Sequence, residues 1–366
     1  MIFTVDSVAL NEGVISVSKA LPVRTSMAVL EGILIRADEA GVHIICSDLM
    51  MQKECVLPAS VREEGECVVK GRLFGEIVRK LPAGPANVSL KEQTLTLSCG
   101  KSNNRLQCME YDEFPLMAFT GEDVYEITLG KEDCRTLINR TAFAIGNDEG
   151  RPILSGVFME SGGDTLSMVA TDSFQFAKNA VKVENELPVK SCIIPGKTVT
   201  EVARMAEECA ADTMTVVFSR THMKVDIGSA CMVARLLEGN YLDYSRFIPK
   251  ECKTRVLIDK DSFNESVDRA SLVSREGNNG VHLTFENETL FVRAESAVGR
   301  VDDELPAQIM GPDIEITFNV KYIMNVLKNI DAEKIYLEMN ASINPCVIRP
   351  QSEEDSLFLI VPMRTL

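Results

Sequence analysis

The sequence predicts three similar α+β domains in tandem, and three observations carry that prediction. A 17-residue pattern recurs without a gap as GILIRADEAGVHIICSD (32–48), GVFMESGGDTLSMVATD (156–172) and GVHLTFENETLFVRAES (280–296), at a constant offset of 124 residues. A second set, GRLFGEIVRKL from Gly71, GKTVTEVARMA from Gly196 and VKYIMNVLKNI from Val320, repeats at offsets of 125 and 124. Finally, 366 residues exceed one ordinary core, and so long a period is too large for a stacking solenoid unit, so each copy is a domain.

Each element follows from its own pattern. Residues 7–20 are a helix candidate, and the stretch 32–48 alternates apolar and polar residues on either side of a polar turn. That is the mark of a β-hairpin with one buried face. Residues 71–81 carry apolar side chains at i, i+3/i+4 spacing and predict an amphipathic helix. The same order restarts with a helix at 131–143, a hairpin at 156–172 and a helix at 196–206, and again with 261–274, 280–296 and 320–330. Aromatic–Pro breaks at Phe114-Pro115 and from Phe247 to Pro249 separate the copies and mark linkers. Domains are therefore expected at 1–120, 121–247 and 248–366. The chain ends in FLIVPMRTL, oily for a terminus, and the alternation of Phe358 to Ile360 predicts a last strand.

Composition narrows the chemistry. The eleven cysteines include no C-x-x-C pair, and their closest spacing is nine residues, which predicts reduced, mostly buried thiols. His43, His222 and His282 lie far apart, so no metal site and no histidine-based triad is expected. CGKS (99–102) ends like a phosphate loop, but Leu95 stands where that motif needs glycine. Asp48 and Asp172 recur in register, yet Ser296 takes the third place, which fits a turn role better than a shared catalytic carboxylate. No catalytic residue and no cofactor are expected. The start lacks a basic n-region and no run of 18 apolar residues occurs, so the expectation is a cytoplasmic protein without a membrane partner. A net charge of −16 excludes a surface that attracts nucleic acid all over, though not one basic face.

ATDSFQFAK (170–178), NYLDYSRFIPK (240–250), FNVKYIMNVL (318–327) and the terminal VPMRTL, in that order and spacing, resemble the bacterial sliding clamp family, the beta subunit of DNA polymerase III. The first is similar to the family's A-T-D-x-x-R-L-A segment, and the resemblance covers essentially the whole chain. It implies three domains of the DNA-clamp type, each with two helices and antiparallel sheets, and a head-to-tail homodimer that closes a ring. The implied function is a processivity factor that encircles double-stranded DNA without reading its sequence. The implied partners are the DNA polymerase III alpha subunit, the clamp loader delta subunit and other proteins with a clamp-binding motif.

The resemblance also implies residue roles. DNA contacts fall on Arg24 and on basic residues of the ring-lining helices: Arg72, Arg79 and Lys80, then Lys197 and Arg204, then Lys321 and Lys328. For the second pair to serve, Glu201, Glu207 and Glu208 must leave the basic residues a face of their own. A greasy peptide pocket is implied at Leu154, at Thr171, Ser173, Phe174, Gln175 and Phe176, at Leu242, Arg246 and Phe247, and at Val361, Pro362, Met363 and Arg364. The protomer seam is implied to bring Leu106 and Cys108 against Leu272 and Val273; read from the residues alone, these four fit a domain core equally well. The chain departs from the family in TDSFQF, where Phe174, Gln175 and Phe176 replace the more usual His, Arg and Leu. Loss of that arginine is expected to leave the pocket rim less basic. The ending RTL instead of RL leaves Leu366 either to lengthen the pocket wall or to hang free.

Overall fold

Among the described residues six α-helices form where the sequence places them: α1 Ser7–Val17, α2 Gly71–Arg79, α3 Lys131–Ala142, α4 Gly196–Glu208, α5 Lys260–Ser274 and α6 Val320–Lys328. The computed structural model describes residues 1–110, 113–148, 150–352 and 355–364. Three of the helices start on a side-chain cap. Asp6 accepts from the N–H groups of Val8 and Ala9, Asp259 from that of Ser262, and Asn319 from that of Lys321, which satisfies amides that have no partner inside the helix. None of the described helices is long and apolar enough to cross a membrane.

The chain divides into two compact units, Met1–Lys131 with Glu201–Leu236, and Glu132–Thr200 with Leu237–Leu366. The first holds two antiparallel sheets. Its five-stranded sheet runs in the order Ala59–Glu63, Ile2–Asp6, Pro85–Lys91, Thr94–Cys99, Ser102–Gln107. Its eight-stranded sheet begins with four strands of the middle copy (Tyr125–Gly130, Thr213–Phe218, His222–Asp226, Ala230–Arg235) and continues onto Met51–Leu57, Gly41–Ser47, Gly32–Asp38 and Gly65–Lys70. Helix α1 buries Leu10, Val14 and Val17, and approaches the sheet closely at Gly13, where a Cβ would stand 3.0 Å from Leu57. It packs on α2, whose Phe74 and Val78 face inward.

In the second unit a seven-stranded sheet joins the middle and last copies. The strand Gln175–Pro195 pairs on one side with Gly156–Thr171 and on the other with the chain's last strand, Ser356–Ile360, from Gln175↔Ile360 to Asn179↔Ser356. All five residues of that last strand are buried, so Phe358–Ile360 is the sheet strand its alternation predicts. A four-stranded sheet, Gly299–Pro306, Thr289–Ser296, Gly280–Glu286, Ile314–Asn319, packs with α5, and α5 packs on α6.

The repeated hairpins form at 32–48 and 280–296. In the last copy Glu286 pairs with Thr289 around Asn287 and Glu288, both left-handed (φ 51° and 56°), the backbone of a tight two-residue turn. In the middle copy β-structure runs on through the expected turn as one element, Gly156–Thr171. Its register breaks on either side of Gly163, which takes φ 59°, and its two halves pair with opposite ends of Gln175–Pro195. Glycine tolerates that conformation without a Cβ clash, so the element bends there without leaving the sheet. The expected linkers carry no strand or α-helix in their described parts, and both bury aromatics: Phe114 joins the cluster of Leu30, Leu34, Ile45 and Val68, while Tyr241, Tyr244 and Ile248 cover that of Val169, Phe176, Val347, Leu357 and Leu359.

Candidate functional site

Past Ile360 the chain leaves the sheet and is pinned twice. The Val361 N–H donates to the Phe174 carbonyl (2.8 Å) and the Met363 N–H to the Thr317 carbonyl (2.8 Å). The side chain of Val361 packs on the apolar cluster around Phe176. The segment TDSFQF that meets the tail is a rigid turn. Asp172 Oδ1 accepts from the N–H groups of both Phe174 and Gln175 (2.8 Å each), and Thr171 Oγ1 donates to the Gln175 carbonyl (2.7 Å) while accepting from the Ser173 N–H (3.0 Å). Ser173 sits at φ 81°, a conformation that favours glycine.

This turn sends alternate side chains in opposite directions. Phe174 is thrown outward, 55% exposed, and stacks on Tyr322 of α6 with ring centres 6.0 Å apart and planes within 8°. Gln175 turns inward. Its amide donates to the carbonyl of Phe143 (3.2 Å) and to Asp172 (3.0 Å) and accepts from Asn325 (3.2 Å). At 4% exposure Gln175 is no part of any rim and acts as an internal brace. Leu154, Thr171 and Phe176 are likewise buried; Leu242, Val361, Pro362 and Met363 are half-buried; Ser173, Arg246, Phe247 and Arg364 are exposed. Arg246 is tied to Asp243 (2.8 Å), whose carboxyl is held below the usual range by its bonds to Ser245 and Arg246. Leu366 lies outside the described residues.

An aromatic wall beside this turn escaped the sequence reading. Phe158 stacks on Tyr241 (4.9 Å, 3°) and meets Tyr244 edge-on, and the Tyr244 hydroxyl donates to Glu160 (2.5 Å). Burial pushes both tyrosine hydroxyls up, and for Tyr244 the Glu160 carboxylate adds to the effect. The signal was there in Tyr241 and Tyr244, three apart in a segment already singled out. Arg151, also missed, donates to Ser173 Oγ (2.8 Å) and pairs with Asp148 (3.0 Å). The tail residues Val361 to Arg364 further line an open groove with Glu315, Thr317, His282 and Ile343. Together these surfaces offer apolar walls, free polar edges and Met363, whose flexible thioether adapts to varied shapes.

Among the expected DNA contacts, Arg24 and Arg72 line one cleft of the first unit together with Lys70, which the sequence reading did not pick, and with Glu31. Arg72 and Arg79 are exposed and seven residues apart on α2, hence on one face; Glu76 pairs with Arg79 at 2.6 Å, and Lys80 follows, exposed. Lys321 and Lys328 repeat that spacing on α6, both exposed. On α4, Lys197 and Arg204 are exposed, and the acids partly withdraw: Glu201 is buried against Lys53 (2.5 Å), which also meets Glu208 (3.6 Å), whereas Glu207 stays exposed.

Of the four expected seam residues, Leu272 is 67% exposed on α5 and Val273 half-buried; Leu106 is mostly sunk in its own sheet and Cys108 half-buried. The strand holding Leu106, Ser102–Gln107, is an outer strand of its sheet, as Gly299–Pro306 is of the four-stranded sheet. CGKS forms the turn of a hairpin in which Cys99 pairs with Ser102, not a loop feeding a helix N-terminus, so it cradles no phosphate. Among the described residues no cluster of His, Cys, Asp and Glu is arranged to hold a metal.

Three family models match in order along the chain: the DNA polymerase III beta subunit N-terminal domain over residues 1–118, its central domain over 128–243 and its C-terminal domain over 245–364. The chain is 32% identical over 359 residues to the beta sliding clamp of Staphylococcus epidermidis, covering 95% of each. Its structure is similar over 100% of both chains to the DNA polymerase sliding clamp of Bacillus subtilis (TM-score 0.94, 30% identity) and to a Pseudomonas aeruginosa sliding clamp bound to griselimycin (TM-score 0.91, 26% identity).

Proposed function

The chain belongs to the DNA polymerase III beta subunit family, the bacterial sliding clamps, and on that premise we propose that two copies join head to tail into a ring that encircles duplex DNA and tethers polymerases through the site at the C-terminal tail. As a member of that family it is a processivity factor and not an enzyme. The observation that carries the tethering reading is the pinned tail: a terminus held at Val361 and Met363 beside the Phe174–Tyr322 stack and the Tyr241–Tyr244 wall presents apolar relief that an extended peptide fits. The peptides come from the polymerase III alpha subunit, the clamp loader delta subunit and other partners with a clamp-binding motif. We place the protein in the cytoplasm, where those partners work.

The domains are 1–120, 121–247 and 248–366, and six of them make the ring. Twelve lining helices at about 9 Å spacing give a perimeter of about 110 Å and a hole about 35 Å across, wide enough for a hydrated duplex to pass ungripped. Arg24, Arg72, Arg79, Lys80, Lys197, Arg204, Lys321 and Lys328 supply diffuse attraction to phosphates, which leaves sequence unread and motion free. The seam joins the outer strands at Leu106 and Cys108 to Leu272 and Val273 of the partner protomer. Sedimentation tests the assembly: two 40.4 kDa chains predict a species of about 81 kDa at micromolar concentration, and a monomer throughout contradicts the ring.

A further inference from the structure

The four-stranded sheet ends on the strand Ile314–Asn319, which pairs with Gly280–Glu286 on one side and, among the described residues, with no strand on the other. Successive residues of a strand aim their N–H and C=O groups at opposite neighbours. Two bonds fix the alternation here. The Val320 N–H donates to the Asn279 carbonyl (2.8 Å), so even-numbered residues serve the Gly280–Glu286 ladder, and the Thr317 carbonyl accepts from the Met363 N–H (2.8 Å), so odd-numbered ones face the open edge. The tail takes up this edge at Thr317. Two residues back, about 7 Å along the strand, the N–H and carbonyl of Glu315 point the same way and have no hydrogen-bond partner among the described residues. Edges are commonly blunted by lysine, proline or a bulge, yet IEITFN contains neither residue, and its register runs unbroken from Gly280↔Asn319 to Phe285↔Ile314.

The groove along this edge is acidic. Glu315 is exposed on the sheet face that it shares with Thr317, His282 and Thr284, and Asp313 lines the same groove, exposed. Against these two carboxylates the described lining residues bring one permanent cation, Arg364. Arg293, opposite His282 on the next strand, is engaged by Asp302 (3.4 Å). On the other face of the strand, Ile316 is buried and Ile314 half-buried, while Ile343, also lining the groove, is 81% exposed.

We propose that the open edge of Ile314–Asn319 is a strand-addition site, which takes an extended, lysine-rich segment of a partner protein as a fifth strand of this sheet. The residue opposite Glu315 exchanges two main-chain bonds with it, one in each direction. Its side chain leaves from the Glu315 face, where a lysine meets the carboxylates. Its neighbours leave from the face of Ile314 and Ile316, where apolar side chains extend the covered surface. This site lies beside the tail pocket, uses other residues and does not require the ring.

The test uses the whole chain and, as probe, an acetylated and amidated hexapeptide of alternating lysine and valine. Saturating peptide is expected to slow amide exchange at Glu315 by about tenfold, the effect of one added main-chain bond. Glu315→Pro deletes the outward N–H and leaves the Gly280–Glu286 ladder, whose bonds come from even-numbered residues; it is expected to weaken binding about tenfold, as is Glu315→Lys. If the variants fail to fold, the unmodified chain still decides. Methylating the lysine main-chain nitrogens, which face Glu315, is expected to abolish binding, and methylating the valine nitrogens, which face away, to leave it. No binding at millimolar concentration, or binding that survives both Glu315 variants or ignores which nitrogens are methylated, overturns the proposal. Truncation after Ile360 separates this site from tethering: peptides that bind the tail are expected to be lost while the lysine–valine peptide stays on Glu315. Loss of both means one site at the tail and overturns strand addition; a lysine–valine peptide held by a chain that binds no tethering peptide refutes the tail pocket alone.

Discussion

Lys53 carries its charge at a position with no side-chain exposure, 2.5 Å from a Glu201 that is itself buried. Desolvating two ions costs several kcal/mol, offset chiefly by their mutual contact and further by Glu208 (3.6 Å from Lys53) and Arg204 (3.4 Å from Glu201), and removing one partner of such a pair costs about 3–5 kcal/mol. Lys53→Met is therefore expected to lower the unfolding free energy by about 3 kcal/mol in urea denaturation, with Glu201→Leu in the same chain restoring most of it. A single variant as stable as the parent contradicts this account. Arg24 tests a different property. It is exposed beside Lys70 and Arg72, and on its proposed role as a phosphate contact Arg24→Glu is expected to reduce DNA loading or retention while peptide affinity, read by fluorescence polarisation, stays unchanged. Loss of both activities counts against its DNA role. Residue identity was legible where type alone decides, as with exposed lysines on a helix face. Direction was not legible at Gln175, because what turns it inward is the pair of bonds from Asp172 to the next two amides together with the positive φ of Ser173, and no property of glutamine announces either.

At the scale of elements, α5 begins on the Asp259 carboxylate, which accepts from the Ser262 hydroxyl (2.6 Å) and N–H (2.8 Å). Those bonds hold its carboxyl below the ordinary 3.8. A carboxyl whose folded value lies below its unfolded one stabilises the fold above the unfolded value, and the benefit fades as pH drops through the folded one. Asp259→Ala is expected to cost about 1 kcal/mol at neutral pH by thermal or urea unfolding, and Asp259→Asn much less, with the acid-limb difference from the parent shrinking below pH 4. The tail is the other element with a sharp expectation. Truncation after Ile360 keeps the buried last strand but removes the wall pinned to Phe174 and Thr317, so peptide binding should vanish while the dimer persists; unchanged affinity contradicts the pocket. Helices and two of the three hairpins were plain in the sequence because periods of 3.6 and 2 are local and the 124-residue offset repeats them. Hidden from it were the pairings between copies, Ala230↔Cys55 and Gln175↔Ile360, since alternation says which face is apolar and not which distant strand will border it.

The whole molecule is strongly acidic, and its exposed basic residues include Arg24, Lys70 and Arg72 at one cleft, Arg79 on α2, and Lys321 and Lys328 on α6, the residues proposed to face the duplex. An acidic exterior repels DNA, and a weakly basic lining attracts it without gripping, which is the electrostatic condition for free movement along a duplex. Enclosure then does what affinity does not. Retention on DNA circles is the direct measurement: ring and nicked plasmid are loaded together, passed through a sizing column, and compared before and after the plasmid is cut once. The protein is expected to travel with the intact circle and to separate from the linear form. Equal escape from both, as a peptide-binding scaffold without a ring gives, contradicts it.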